Sequence, residues 1–278
     1  MVWVPDNFNG RAALTRVGAF DKVLWSAMSD LTTPLIRKLE SLGPLSQDER
    51  ESIEAMSLVG KDFAPGQLIA MEGNDPSHCC LVVEGLVRRY SILSNGNLQT
   101  LSIHIPGDIP DLQGLHLRTM DHTLASIGTS KGALISHRDI LEVIRKSPRL
   151  ANLFWRESLV DAAVARAWVK VLGGQDAFGR LAHLACELYT RMAVMGLVRD
   201  NSYLFPLTQV QIGETIGASI VHVSRILKKM RADHLLDHKD GRLVLLNWEG
   251  LCEVADFDPG YLNLRDAPYL DLTPAAGR

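Results

Sequence analysis

The sequence predicts an α+β protein with an antiparallel β domain, a long helix and a small helical domain that carries a β-hairpin. Three observations predict this fold. Between about residues 58 and 137, short apolar runs alternate with glycine-containing turns. From Pro148 to about Leu172 the chain has no glycine and no further proline. Within 207–230, two short amphipathic segments flank a glycine turn.

Length and composition define the class of protein. The chain has 278 residues, of which 46% are apolar and 22% charged, with a net charge of −3. This length is sufficient for two domains. The negative net charge excludes nucleic-acid binding through bulk charge, so such binding would need a local basic face. No apolar run is long enough to predict a membrane span.

Cysteine usage predicts neither a zinc ribbon nor a cysteine-ligated cluster, because no pair has CxxC spacing. Idle thiols in a reducing cytoplasm are expected instead. The cysteines are Cys79, Cys80, Cys186 and Cys252.

The first 27 residues show no clear periodicity and lack the order of a secretory signal. We expect residues 1–27 to be a disordered extension, or translation to start at Met28. A helical pattern begins near Met28. The β domain with its flanking helices is predicted over 28–148.

Turn signals recur about every ten residues in the β domain, which indicates an antiparallel sandwich or barrel. The stretch SNGN at 94–97 predicts a hairpin, because Asn-Gly tolerates positive φ. A second turn is predicted at 106–108, PGD.

A long helix is predicted over 149–172, and two apolar stripes run along it. The inner stripe consists of residues 150, 153, 160, 164 and 171, and the outer stripe of 155, 159, 162 and 169. One stripe can pack on its own domain, and a second copy of the helix is the simplest partner for the other. The alternative is a single wide core face.

The stretch LTQVQIGETIGASIVHVSRILKKM, residues 207–230, predicts two capped helices joined by a tight turn. Thr208 can cap the first helix in a capping box with Gln211. Gly213 inside that helix indicates a close backbone approach, and Gly217 suits a left-handed turn. Ser219 can cap the second helix.

The second helix carries four basic residues within a stretch of seven. This is typical of a helix-turn-helix whose second helix enters the DNA major groove. Arg225 can grip a guanine, whereas the lysines suit phosphates. LLDH and RLVLLN around KDG predict a wing, so 173–257 is a winged helix-turn-helix domain. The alternative is a helical hairpin with a solvated basic face. The candidate DNA-binding residues are Thr208, Gln209, Ser219, Ile220, Val221, His222, Arg225, Lys228 and Lys229.

This stretch resembles the Crp/Fnr family of bacterial transcription regulators. The family pattern has a threonine cap and an Ile-Gly pair in the first helix, which are matched by Thr208 and Ile212-Gly213. Its turn and the Arg-x-Leu of its recognition helix are matched by Gly217-Ala218-Ser219 and Arg225-Ile226-Leu227. FAPGQLIAMEG, LVVEGLVRRY and PGDIPDL resemble the family's cyclic-nucleotide-binding-like β-roll. The resemblance covers about residues 28–257. It implies a homodimer with an N-terminal antiparallel β-roll, a long dimerisation helix and a C-terminal winged helix-turn-helix, leaving 258–278 as a tail.

The family's cyclic-AMP pocket is altered in this sequence. Asp111 occupies the position of the family's ribose-binding glutamate. The family's phosphate-binding arginine is replaced in the stretch Asp121, His122 and Thr123. A carboxylate near a phosphate is repulsive, so cyclic AMP is not expected. These four residues form the candidate pocket for an unidentified effector.

Two further departures from the family pattern concern DNA and oxygen. Val221 stands where the best-known members carry a glutamate for reading a base, so the DNA sequence should differ. No cysteine precedes Cys79, which argues against an N-terminal oxygen-sensing cluster.

Alternatives remain for the β domain. Its histidines, His104, His116, His122 and His137, could converge on a metal or a haem iron in a cupin-like sensor. It could also work with no ligand. No Walker loop, nucleophile elbow or paired-carboxylate signature is present, so no enzyme and no cofactor are predicted. The expected partners are double-stranded DNA, a second copy of the chain and RNA polymerase, with no membrane.

Overall fold

The computed structural model describes residues 31–264. The predictions for residues 1–27 and for the end of the tail, 265–278, lie outside the described residues. No helix within 31–264 is long and apolar enough to cross a membrane.

Two short helices precede the β domain, α1 (Thr33–Leu42) and α2 (Gln47–Glu54). α2 was not predicted, although its start is a complete capping box. The Ser46 hydroxyl accepts a hydrogen bond from the Glu49 amide, and the Glu49 carboxylate accepts one from the Ser46 amide.

Five antiparallel strands form the β-roll, in the order β1-β5-β3-β4, with β2 also paired to β5. The two longest strands pair from His78–Ser136 to Tyr90–Thr123. The predicted hairpin joins β3 to β4, but only Gly96 adopts positive φ there, so the loop is longer than a two-residue turn. The strands are β1 (Leu58–Phe63), β2 (Leu68–Ala70), β3 (His78–Ile92), β4 (Leu98–His104) and β5 (Thr123–Ser136).

Three helices follow the roll, α3 (His137–Lys146), α4 (Pro148–Gly174) and α5 (Ala177–Val194). The predicted dimerisation helix, 149–172, lies inside α4. Ser147 ends α3 and caps α4 by accepting a hydrogen bond from the Leu150 amide, and Pro148 suits the first turn of α4.

The C-terminal domain adds a three-stranded sheet, in the order β6-β8-β7, to its helices. Asp240 and Gly241 both have positive φ, as expected for the tight turn between β7 and β8. Strand β6 was not predicted, nor was α8, which Asn247 caps by accepting from the Gly250 amide. The elements are β6 (Ser202–Leu204), α6 (Gln209–Ile216), α7 (Ile220–Ala232), β7 (Leu236–Lys239), β8 (Arg242–Leu245) and α8 (Trp248–Ala255).

One hydrophobic core runs through both domains. It joins Leu86 and Ile127 of the roll to Trp168 of α4, Leu184 of α5 and Ile212 of α6. A second cluster lies between α1, the roll and the first half of α4. The last described residues, 258–264, form a segment that we call the strap. It contains a 3₁₀ turn (Pro259–Leu262) and packs on α4.

Candidate nucleic-acid interface and internal cavity

The helix-turn-helix is built from α6 and α7. Thr208 and Gln211 form the predicted capping box, and Ser219 caps α7 by accepting from the His222 amide. Gly217 takes the left-handed conformation, with φ +67°. A Cβ on Gly213 would lie 2.4 Å from the Ala218 carbonyl oxygen, which explains why glycine occupies the middle of a short helix.

The outward face of α7 is available to a partner. All nine candidate DNA-binding residues are exposed, whereas Val223, Ile226 and Met230 hold the helix in the core. Ile220 and Val221, at the start of α7, are 51% and 62% exposed. Isolated apolar side chains at that position suit contact with thymine methyl groups.

The four basic residues of α7 fall into two groups, which differ in whether they form an ion pair within the chain. Lys229 is paired with Asp233 and lies over the Phe178 ring, and Arg231 is paired with Asp237. Within residues 31–264, no ion pair forms at Arg225 or Lys228. These two charges are therefore free for a ligand, whereas the predicted phosphate contact of Lys229 would compete with its intramolecular partner.

The two stripes of α4 differ in burial. The inner stripe is buried, including Leu150 and Val164. The outer stripe faces outward, and Trp155, Leu159 and Val169 are 66%, 53% and 74% exposed. Spacings of three, four and seven residues place the outer stripe on one side of the helix, as in a coiled-coil seam.

The helix-turn-helix is fixed to the roll through Glu214 of α6. Its carboxylate pairs with Arg88 of β3, and its carbonyl oxygen accepts a hydrogen bond from Gln99 of β4 at 3.0 Å. Both side chains of the ion pair are largely buried. Helices α6 and α7 thus have a defined orientation relative to the hairpin of β3 and β4.

A cavity of about 570 Å³ lies between the roll, α4, α5 and the strap. Two predicted pocket residues, Asp121 and His122, line it. His122 is buried, and burial together with the positive charge of Arg89 lowers its pKa to about 4, so its ring is neutral at pH 7. Its Nδ1 lies 2.6 Å from the Asp121 carboxylate.

The other two predicted pocket residues lie outside the lining of the cavity. The Asp111 carboxylate accepts from the Cys80 amide at 2.9 Å, and burial raises its pKa to about 7. The Thr123 hydroxyl accepts from the Glu72 amide at 3.2 Å. Both groups hydrogen-bond to the backbone of the roll, and their predicted role in an effector pocket stays a prediction.

The sequence analysis missed a buried charged cluster on the cavity wall. Asp108 accepts from Lys38 at 2.8 Å and from Arg191 at 2.6 Å. Lys38 also pairs with Glu157 at 3.3 Å, and Arg191 with Glu187 at 3.0 Å. Asp108 belongs to the PGD stretch, for which a turn was predicted, but the sequence offers no sign that α1 and α5 supply its partners.

Two of the predicted idle thiols lie in the roll, where the alternative metal site was also predicted. Cys79 and Cys80 are buried, and burial raises the pKa of both thiols, so neither is reactive at pH 7. Residues 31–264 contain no group of three or more histidines, cysteines or carboxylates that could hold a metal ion. The described structure therefore gives the metal-sensor alternative no support.

Comparison with known proteins identifies both halves of the chain. Residues 179–254 match a family profile described as a Crp-like helix-turn-helix domain, and residues 60–147 match a cyclic nucleotide-binding domain. The transcriptional activator protein FnrA of Stutzerimonas stutzeri is 21% identical over 211 residues, covering 76% of this chain and 86% of the relative. The nitrogen fixation regulation protein FixK of Rhizobium meliloti is 27% identical over 184 residues, covering 66% and 80%.

A solved structure shares the fold. FixK2 from Bradyrhizobium japonicum superposes with a TM-score of 0.64 at 22% identity, covering 72% of this chain and 98% of that one.

Proposed function

Because this chain belongs to the Crp/Fnr family of transcription regulators, we propose that it binds a near-palindromic operator as a homodimer through α7. The observation that carries the proposal is the exposed face of α7, where Arg225 and Lys228 have no intramolecular ion pair among the described residues.

Dimerisation through the outer stripe of α4 is part of the proposal. Its exposed side chains are too large and too regularly spaced to be typical of a solvated helix face. Two copies related by a two-fold axis would bring their α7 helices to half-sites about one turn of DNA apart.

Within each half-site we assign different roles to the residues of α7. Arg225 reads a guanine through O6 and N7, and Ile220 and Val221 contact thymine methyl groups. Lys228 and the Ser219 hydroxyl bind phosphates. The Thr208 hydroxyl is occupied in its capping box, so we assign phosphate binding there to the helix N-terminus, beside Gln209.

Regulation by a molecule in the cavity is the second part of the proposal. The cavity touches α4 and lies beside the link from Arg88 and Gln99 to Glu214, so occupancy can bias the orientation of α6 and α7. We place the protein in the cytoplasm with chromosomal DNA, and with RNA polymerase as a further partner. No catalytic step forms part of this function.

Selection of bound DNA from a random pool by the full chain tests the proposal. A two-fold symmetric motif is expected. On that DNA, Arg225→Ala should lose about 1–3 kcal/mol of binding free energy and discriminate less at one base pair of each half-site. Arg138→Ala, at an exposed arginine of α3, is the matched control. An asymmetric motif contradicts the dimer, and equal loss on every DNA sequence contradicts base reading by Arg225.

A further inference from the structure

The charges around the cavity are unfavourable for an anion. Five carboxylic side chains line it, against three cations, and the four other than Glu157, whose pKa burial raises to about 7, still outnumber the cations. Burial lowers the pKa of both lining histidines, so they add no charge at pH 7. The carboxylates are Asp108, Asp121, Glu157, Asp161 and Glu187, and the cations are Lys38, Arg89 and Arg191.

Each of these cations is already neutralised. Lys38 and Arg191 share Asp108, as described above, and Arg89 donates to the Asp161 carboxylate at 2.8 Å. A phosphate that binds one of these cations would have to break an existing buried ion pair, which is costly. The cavity therefore lacks what a nucleotide requires.

The remaining wall is apolar and comes from all sides of the cavity. Ile103 and Leu112 belong to the roll, Val164 and Trp168 to α4, and Leu262 to the strap. Leu262 is buried, and its neighbour Tyr261 donates to Glu187 at 2.9 Å. Part of the wall is thus a segment that directly follows the DNA-binding domain.

We propose that this cavity binds an uncharged, largely apolar molecule and excludes nucleotides and other anions. This inference rests on the proposed regulatory function, because it names the chemical class of the effector. An uncharged molecule leaves the buried ion pairs undisturbed, and its apolar surface covers the leucine, valine and tryptophan side chains of the wall.

A matched pair of probes tests the proposal on the full chain. N-phenyl-1-naphthylamine is uncharged, whereas 8-anilino-1-naphthalenesulfonate adds a sulfonate to the same skeleton. We expect the amine to bind at least roughly tenfold more tightly than the sulfonate.

Two cavity-filling variants locate the binding. Ala165→Phe changes an exposed residue of α4 that lines the cavity, and Leu101→Trp does the same on β4. Only the fluorescence lost in both variants is scored, and size-exclusion elution checks that their assembly is unchanged. Amine binding that survives both variants, or no binding at all, overturns the inference.

Tighter binding of the sulfonate, or displacement of the amine by cyclic AMP, also overturns it. These results leave the proposed function standing as long as the same protein preparation binds its selected operator. Failure to bind any DNA, with the probe results as expected, would instead reject the proposed function and leave the cavity's preference established.

Discussion

Replacing Glu157 by glutamine should stabilise the protein above neutral pH and change it little near pH 5. Glu157 is buried beside Lys38 and Asp108 on the cavity wall. Burial, opposed by Lys38 and reinforced by Asp108 and Asp161, raises the pKa of its carboxyl from 4.5 to about 7. Ionisation of Glu157 is therefore unfavourable in the folded state.

The size and sign of the effect follow from proton linkage. Between pH 4.5 and about 7 the folded protein holds a proton that the unfolded chain has released, so stability falls as pH rises and levels off above 7. The whole loss is about 3 kcal/mol, because one pKa unit corresponds to about 1.4 kcal/mol. Glutamine resembles the protonated carboxyl at every pH and avoids this loss.

Thermal unfolding at two pH values measures the effect. At pH about 8.5 the Tm of Glu157→Gln should exceed that of the natural protein by about 6–12 °C, since about 1 kcal/mol moves Tm by about 2–4 °C at this size. Near pH 5 the gain should be about 2 °C, and the exposed control Glu54→Gln should show none at either pH. A variant that is destabilised at both pH values would refute the reasoning, because Lys38 would then depend on an ionised Glu157.

Three other predictions concern the DNA-binding face and the dimer. Gly213→Ala should destabilise the protein by about 1–3 kcal/mol and reduce operator binding, because its Cβ meets the Ala218 carbonyl; Gly173→Ala, with open space around it, should be tolerated, and chemical denaturation compares the two. Leu159→Glu should convert the proposed dimer to a folded monomer in analytical ultracentrifugation, and a persistent dimer would place the interface elsewhere. Lys228→Ala should weaken binding evenly across DNA sequences and reduce the slope of log affinity against log salt by about one, whereas an unchanged slope would remove Lys228 from the phosphate contacts.

The sequence predicted the parts of the fold that local rules determine. The capping box at Thr208, the cap at Ser219, the left-handed Gly217 and the turn at Asp240-Gly241 depend on a few neighbouring residues, and all are present in the structure. The two stripes of α4 were also separable by helical periodicity alone, although burial was needed to show which stripe packs on its own chain.

Long-range contacts decided what the sequence did not predict. β6 is three residues long and exists because it pairs with β8, about 40 positions further along the chain. The cavity wall combines Lys38, Asp108, Glu157 and Arg191 from four separate elements, and no spacing rule connects them. Asp111 and Thr123 were placed in the pocket by family resemblance, whereas their side chains hydrogen-bond to amides of the roll.

The hydrophobic core shared by the roll, α4 and the DNA-binding domain has a consequence for how this protein can be made and divided. During synthesis the DNA-binding domain leaves the ribosome last, and the side of its core that faces the roll and α4 is covered only when it packs on them. A fragment starting after α4 would leave that side of the core exposed to water. Exchanging DNA-binding domains between such regulators would therefore require transplanting the surface of the roll as well.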